Sequence, residues 1–212
     1  MKKFWVLLMI FSGGIAITGH SQNIPDSLRE TVGTIELSPL SAEDYNYLGN
    51  VYYEKFDYDK AIDCFEKAIE LNPDYAEAYD NMGKMYDVKG SYDKAINYFK
   101  KAIALKPDYA EACDNLGYVY AWRKNNYDEA IKCYEKAIAL KPDYAFSYNN
   151  MGDAYYKKGD YNKAIKYFEK AIELIPYYAA AYYSMGDAYQ KLGNKVKADE
   201  CFQKAWEINY GK

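Results

Sequence analysis

The sequence predicts an all-α fold, a solenoid made by stacking five antiparallel helix pairs. Three observations predict it. Glycine recurs at Gly49, Gly83, Gly117, Gly152 and Gly186, with separations of 34, 34, 35 and 34 residues. A good helix-capping residue recurs in phase with them, at Asp57, Ser91, Asn126, Asp160 and Asn194, where a short polar side chain accepts an orphan backbone N–H. Proline closes the first four units at Pro73, Pro107, Pro142 and Pro176, where a helix cannot easily continue. A fixed period of this length means one supersecondary unit repeated, each copy burying its apolar face on the next.

Set in phase on alanine, the units cover 42–75, 76–109, 110–144, 145–178 and 179–212. In the first helix of unit two, Tyr79, Met82, Gly83 and Tyr86 fall on one face at helical spacing. A glycine costs about 1 kcal/mol inside a helix, so one per unit at constant phase implies close helix contact. The second helix follows the cap, with Ala95, Phe99, Ala102 and Leu105 on one face. Unit three carries one extra residue, in the turn Arg123-Lys124-Asn125-Asn126. The pairs Asp74…Glu77 and Asp108…Glu111 have the spacing of a capping box at the start of the following first helix.

These residues resemble the tetratricopeptide repeat family. Unit two carries Tyr79, Met82-Gly83, Tyr86, Ala95, Phe99, Ala102 and Pro107 where that family has its signature. Cys113 stands in for the first aromatic of unit three, and unit five lacks the proline. The resemblance spans everything after residue 41. It implies a right-handed superhelix whose first helices line a concave groove, and a scaffold that binds other proteins. Some members clamp a C-terminal carboxylate with lysine and arginine; here Asn46, Asn50, Asn81 and Asn115 are present, Glu111 falls at one matching position, and every cation is missing.

Residues 1–21 have the form of a cleavable export signal. Lys2-Lys3 is followed by a short apolar run, Phe4 to Thr18, and Gly19-His20-Ser21 puts small residues before a cut at Gln22. The expected location is periplasmic or secreted. The alternative is an uncleaved segment anchoring the chain to a membrane. Residues 22–41, punctuated by Pro25, Gly33 and Pro39, read as a linker or partly ordered lead-in.

The formal charge is −4, and a chain starting at Gln22 loses two lysines and no acid, moving it to −6. That balance argues against nucleic acid and anionic lipid as partners, which need clustered cations. It suits a neutral or basic protein partner. The single histidine, His20, lies in the signal, so neither a histidine-based nucleophile site nor a histidine zinc site is expected. No phosphate loop or calcium loop is present, and the chain is expected to be no enzyme, with no cofactor and no metal. Cys64, Cys133 and Cys201 lie two repeats apart from one another, and Cys113 is offset from Cys133 along its helix pair, so all four are expected to be free thiols.

The first helices leave a stripe facing away from the core, acidic and rich in amides. The candidate peptide-binding groove on units two to four comprises Asp80, Asn81, Asp114, Asn115, Tyr118, Trp122, Phe146, Asn149, Asn150, Asp153 and Tyr156. Asn81, Asn115 and Asn150 share one phase and form a ladder of carboxamides. Each amide offers a donor and an acceptor to an extended peptide. Tyr118, Trp122, Phe146 and Tyr156 are candidate aromatic anchors. A second candidate surface is the last helix, whose Phe202, Trp206 and Ile208 have no following unit to cover them. The expected function is a non-catalytic interaction scaffold of the cell envelope. The alternative is an assembly subunit that forms a homo-oligomer through its C-terminal end.

Overall fold

The computed structural model describes residues 39–211. The signal-like segment 1–21 and residues 22–38 of the lead-in lie outside the described residues. The described chain forms ten α-helices: α1 (Ala42–Glu54), α2 (Tyr58–Leu71), α3 (Ala76–Val88), α4 (Tyr92–Leu105), α5 (Ala110–Trp122), α6 (Tyr127–Leu140), α7 (Ala145–Lys157), α8 (Tyr161–Leu174), α9 (Ala179–Lys191) and α10 (Lys195–Tyr210). Among them none is long and apolar enough to cross a membrane.

Each helix packs on its neighbours in sequence, which makes five antiparallel pairs stacked in order. The backbones of successive first helices (α1, α3, α5, α7, α9) also approach one another closely, whereas those of successive second helices stand farther apart. A stack in which one row touches and the other splays is curved toward the touching row. The first helices therefore line the inner face.

The glycines explain the tight pairing. A Cβ at Gly83, Gly117, Gly152 or Gly186 would stand between 2.5 and 2.7 Å from the ring of Phe99, Tyr134, Phe168 or Phe202. The rings of Phe65, Phe99, Tyr134 and Phe168 are fully buried as a result. Each second helix then carries its unit into the next: Ala95, Ile96 and Phe99 of α4 pack with Leu116 and Val119 of α5, and α8 repeats the pattern on α9. Stacked tyrosines, Tyr86 on Tyr98 at 5.2 Å and Tyr155 on Tyr167 at 5.3 Å, flank this core.

The caps partly follow expectation. Asp57, Asn126, Asp160 and Asn194 accept a backbone N–H at the start of α2, α6, α8 and α10, while Ser91 makes no such bond. The Asp74…Glu77 and Asp108…Glu111 pairs are not capping boxes. Helices α3 and α5 start one residue later, from Tyr75 and Tyr109, with no side-chain cap. Glu77 and Glu111 pair with Lys106 and Lys141 at 2.8 and 2.9 Å instead. Among the described residues the one capping box joins Ser41 and Asp44 ahead of α1.

The turn inside each unit needs one residue with positive φ. Glycine fills it in three units, at Gly90, Gly159 and Gly193, and Asn125 serves in unit three with φ 52°. In unit one it is Phe56, with φ 61° and a side chain 77% exposed. A bulky L-residue is strained there, and its ring gives little burial in return. Phe56→Gly is expected to stabilise the chain by about 1 kcal/mol, read as a higher denaturant midpoint with unchanged slope.

Candidate functional site

The inner face has two layers. Counting from the alanine that opens each first helix, the fifth residue is Asn46, Asp80, Asp114 or Asn149, and the sixth is Asn81, Asn115 or Asn150 in units two to four. The fifth-position side chains were expected to face solvent. They are buried: Asp80 is 0%, Asn149 6%, Asp114 7% and Asn46 9% exposed.

The asparagine ladder turns inward for the same reason. Stacking places the sixth residue of one unit beside the fifth of the unit before, so each amide bonds within the chain. Asn81 Nδ2 donates to Asn46 Oδ1 at 2.9 Å, Asn115 Nδ2 to Asp80 Oδ1 at 2.9 Å, and Asn150 Nδ2 to Asp114 Oδ2 at 3.1 Å. The ladder is thus a series of clasps between adjacent first helices, and its Nδ2 donors are engaged. The Asn81 Oδ1 acceptor is also in use, taking a bond from Lys84 at 3.3 Å.

The aromatic residues lie outside this polar layer. Tyr118 is 38%, Trp122 39% and Phe146 51% exposed, and Tyr156 is half-buried. Arg123 reaches back to Asp87 through two bonds of 2.9 and 3.1 Å, with its guanidinium 5.4 Å from the Tyr118 ring. Lys157 Nζ lies 5.4 Å from the centre of the Trp122 ring. A shallow dent between α3 and α5 is lined by Lys84, Asp87, Asn115 and Tyr118.

The acids of this face fall into two groups. Asp80 pairs with Lys84 at 2.7 Å, Asp87 with Arg123, and Glu77 and Glu111 with the lysines named above. Asp114 and Asp153 have hydrogen-bond donors but no ion-pair partner within the described residues. Asp114 accepts from Ser147 Oγ at 2.6 Å and from Asn150; burial pushes its carboxyl up despite these bonds. Asp153 accepts from Asn149 Nδ2 at 3.1 Å and also from Ser184. Burial holds its carboxyl at about 6, with Ser184, Lys157 and Asn149 pulling down and Asp187 pushing up. Two buried polar atoms nearby have no partner at all, Asn149 Oδ1 and the Tyr134 hydroxyl.

Ser147 and Ser184 escaped the sequence reading. Ser147 had a signal: Ala78, Ala112 and Ala181 occupy its place in units two, three and five. Tyr134 stands where the other units have phenylalanine. At the C-terminal end, Trp206 is 60% exposed, with its ring 6.1 Å from that of Tyr210, while Phe202 and Ile208 are half-buried. All four cysteines are free. Cys113 and Cys133 both line one small depression with Ile103 and Leu116. Burial pushes the Cys133 thiol up to about 12, which leaves it protonated and a poor nucleophile.

Asp153 yields a pH-dependent prediction. Its carboxyl holds a proton more tightly in the folded chain than the ordinary value of 3.8, so its charged form opposes folding above pH 6. Asp153→Asn keeps the shape and lets the new amide donate to Asn149 Oδ1. It is expected to stabilise the chain by about 2 kcal/mol at pH 7.5. The gain should shrink as pH falls through 6 and vanish near 4, which paired thermal melts across that range will show.

Comparisons with known proteins agree with this architecture. Models described as tetratricopeptide repeat match residues 42–75, 64–97, 108–176 and 143–209, and one described as TPR repeat matches 88–121. The crystal structure of MamA is 34% identical and superposes with a TM-score of 0.67, covering 76% of this chain and 94% of that one. PilW, described as a widely conserved type IV pilus biogenesis factor, is 25% identical with a TM-score of 0.75, covering 79% and 77%. YrrB, described as a TPR protein with an unusual peptide-binding site, is 26% identical with a TM-score of 0.63, covering 79% and 86%. No curated protein matches the chain by sequence. With five helix pairs in the family's register and these similarities across the described array, the chain belongs to the tetratricopeptide repeat family.

Proposed function

We propose that the chain is a non-catalytic interaction scaffold that holds an extended segment of a partner protein along the inner face of units two to four. The observation that carries this reading is the row of exposed rings Tyr118, Trp122 and Phe146 on a concave surface. Aromatic side chains so placed are typical anchors, because they bury much area with little loss of rotamer freedom. With the clasp donors Asn81, Asn115 and Asn150 engaged, the groove binds chiefly through side chains and the aromatic row. The acidic lining favours a neutral or basic segment. The likeness to YrrB supports a peptide as ligand. The export-signal form of residues 1–21 supports a place in the cell envelope, periplasmic or secreted, and the likeness to PilW fits such a place.

A second reading rests on Trp206, which is 60% exposed on the final helix. Ile69, Ile103, Ile138 and Ile172 hold the equivalent place in units one to four, half-buried under the next unit. A large exposed ring where the counterparts are half-buried favours self-association or docking through Phe202, Trp206 and Ile208.

Two experiments test these readings. Trp122→Ala is expected to weaken peptide affinity by about 2 kcal/mol with helical circular dichroism retained; lost helicity without a specific binding change would make Trp122 a core residue. Sedimentation over a wide concentration range, with Trp206→Glu alongside, tests the C-terminal end. A concentration-dependent oligomer that the substitution dissolves supports assembly, and a monomer throughout ends it.

A further inference from the structure

The repeats serve as controls for one another, and unit three departs from the rest in one place. In unit two, Tyr79 of α3 and Tyr98 of α4 meet with their rings 6.2 Å apart. Unit four has Tyr148 and Tyr167 in those places, and units one and five keep one tyrosine of the two, Tyr45 and Tyr182. Unit three has a cysteine at both, Cys113 and Cys133. With both rings gone, a depression of about 210 Å³ opens there, floored by the two cysteines, Ile103 and Leu116.

The charge around it is reversed as well. Burial raises Tyr98, Cys133, Tyr167 and Cys201, and the unit before adds a charge to each. Glu66, Glu135 and Glu169 push Tyr98, Tyr167 and Cys201 further up, whereas Lys100 pulls Cys133 down. A lysine thus overlooks the depression where glutamate overlooks the equivalent place at the other three junctions.

A third departure concerns Lys136, also on the rim. The lysine at its place pairs with Glu70, Glu173 or Glu207 in units one, four and five, and in unit two Lys101 lies 5.8 Å from the centre of the Tyr79 ring. In unit three that glutamate is Ala139 and that ring is Cys113. Lys136 has no ion-pair or ring partner among the described residues. Of the other rim lysines, Lys132 is held by Glu129 at 2.6 Å, and Lys100 lies 6.0 Å from the Tyr120 ring, the far limit of a cation–π contact.

We propose that this depression between α4, α5 and α6 receives one aromatic side chain of a partner protein, with an adjoining carboxylate of the partner held by Lys136 and Lys100. The occupant replaces what unit three lacks, a ring and an anion. Small-molecule sites usually enclose about 300–1,000 Å³, so a shallow depression of this size suits a side chain on a protein surface. The lysine rim selects an acidic neighbour in a chain whose net charge is −4. None of these residues belongs to the aromatic row or to the amide clasps, so the scaffold has a second, separate place for an acidic segment.

The test is selection of a displayed random dodecapeptide library on the full chain, with each binder titrated against three variants. Cys113→Tyr with Cys133→Tyr refills the depression as unit two does. Lys100→Glu with Lys136→Ala restores the charges of the other junctions, and Trp122→Ala removes the inner-face anchor. The expected result is a class of peptides in which Tyr or Phe adjoins Asp or Glu. Their affinity should fall about tenfold or more in the first two variants and stay within about twofold in Trp122→Ala. Circular dichroism verifies folding, and the lysine substitutions, on exposed side chains, decide the matter even if the refilled variant does not fold. The site is overturned by a library without binders or whose binders all depend on Trp122. Binders of the depression that share no carboxylate, or that ignore the lysine substitutions, overturn it too.

Discussion

The whole array depends on the contact between one glycine of each first helix and one aromatic ring of its partner helix. A glycine inside a helix costs about 1 kcal/mol against alanine. Burying a ring of 150–250 Å² offsets that cost several times over. At Gly83 the Phe99 ring fills the space a Cβ would need, so the two helices come closer than alanine would allow. Repeated five times, this approach fixes the thickness of a unit. It also brings the sixth residue of each first helix beside the fifth of the unit before. The amide clasps, the buried acids and the exposed rings are consequences of that spacing.

Much of this was legible in the sequence, because it follows from periodicity. The alanine phase coincides with the start of every first helix, and the polar residue ahead of Tyr58, Tyr127, Tyr161 and Lys195 caps the second. Depth was less legible. Helical spacing shows which side of α3, α5 or α7 an Asp80, Asp114 or Asn149 occupies, but a neighbouring unit decides whether that side is open. The clasp amides lie 35 or 36 residues from their acceptors, a relation that no single helix pattern displays. The capping boxes failed for a local reason. Tyr75 and Tyr109 occupy the cap positions and are partly buried, which leaves Asp74 and Asp108 one residue too early.

The distribution of charge gives the groove a direction. Near its first half the carboxylates meet lysine or arginine from the chain itself, and such pairs present little net field to a ligand. Asp114 of unit three and Asp153 of unit four have no such partner among the described residues. A carboxylate buried without a cation is costly, and structures keep such groups where something else compensates them. Asp114 and Asp153 rely on neutral donors, Ser147, Asn150, Asn149 and Ser184. These bonds hold the carboxylates in place without discharging them.

The clasps also give the array a mechanical character. They tie first helix to first helix along the inner edge, whereas the backbones of the second helices on the outer edge stand farther apart. Such a body bends as a spine does, opening and closing its back around a seam of nearly fixed length. Changes of curvature would then leave the spacing of Tyr118, Trp122 and Asp153 along the seam almost unaltered. The ruler that meets a bound segment stays true while the rest of the molecule flexes.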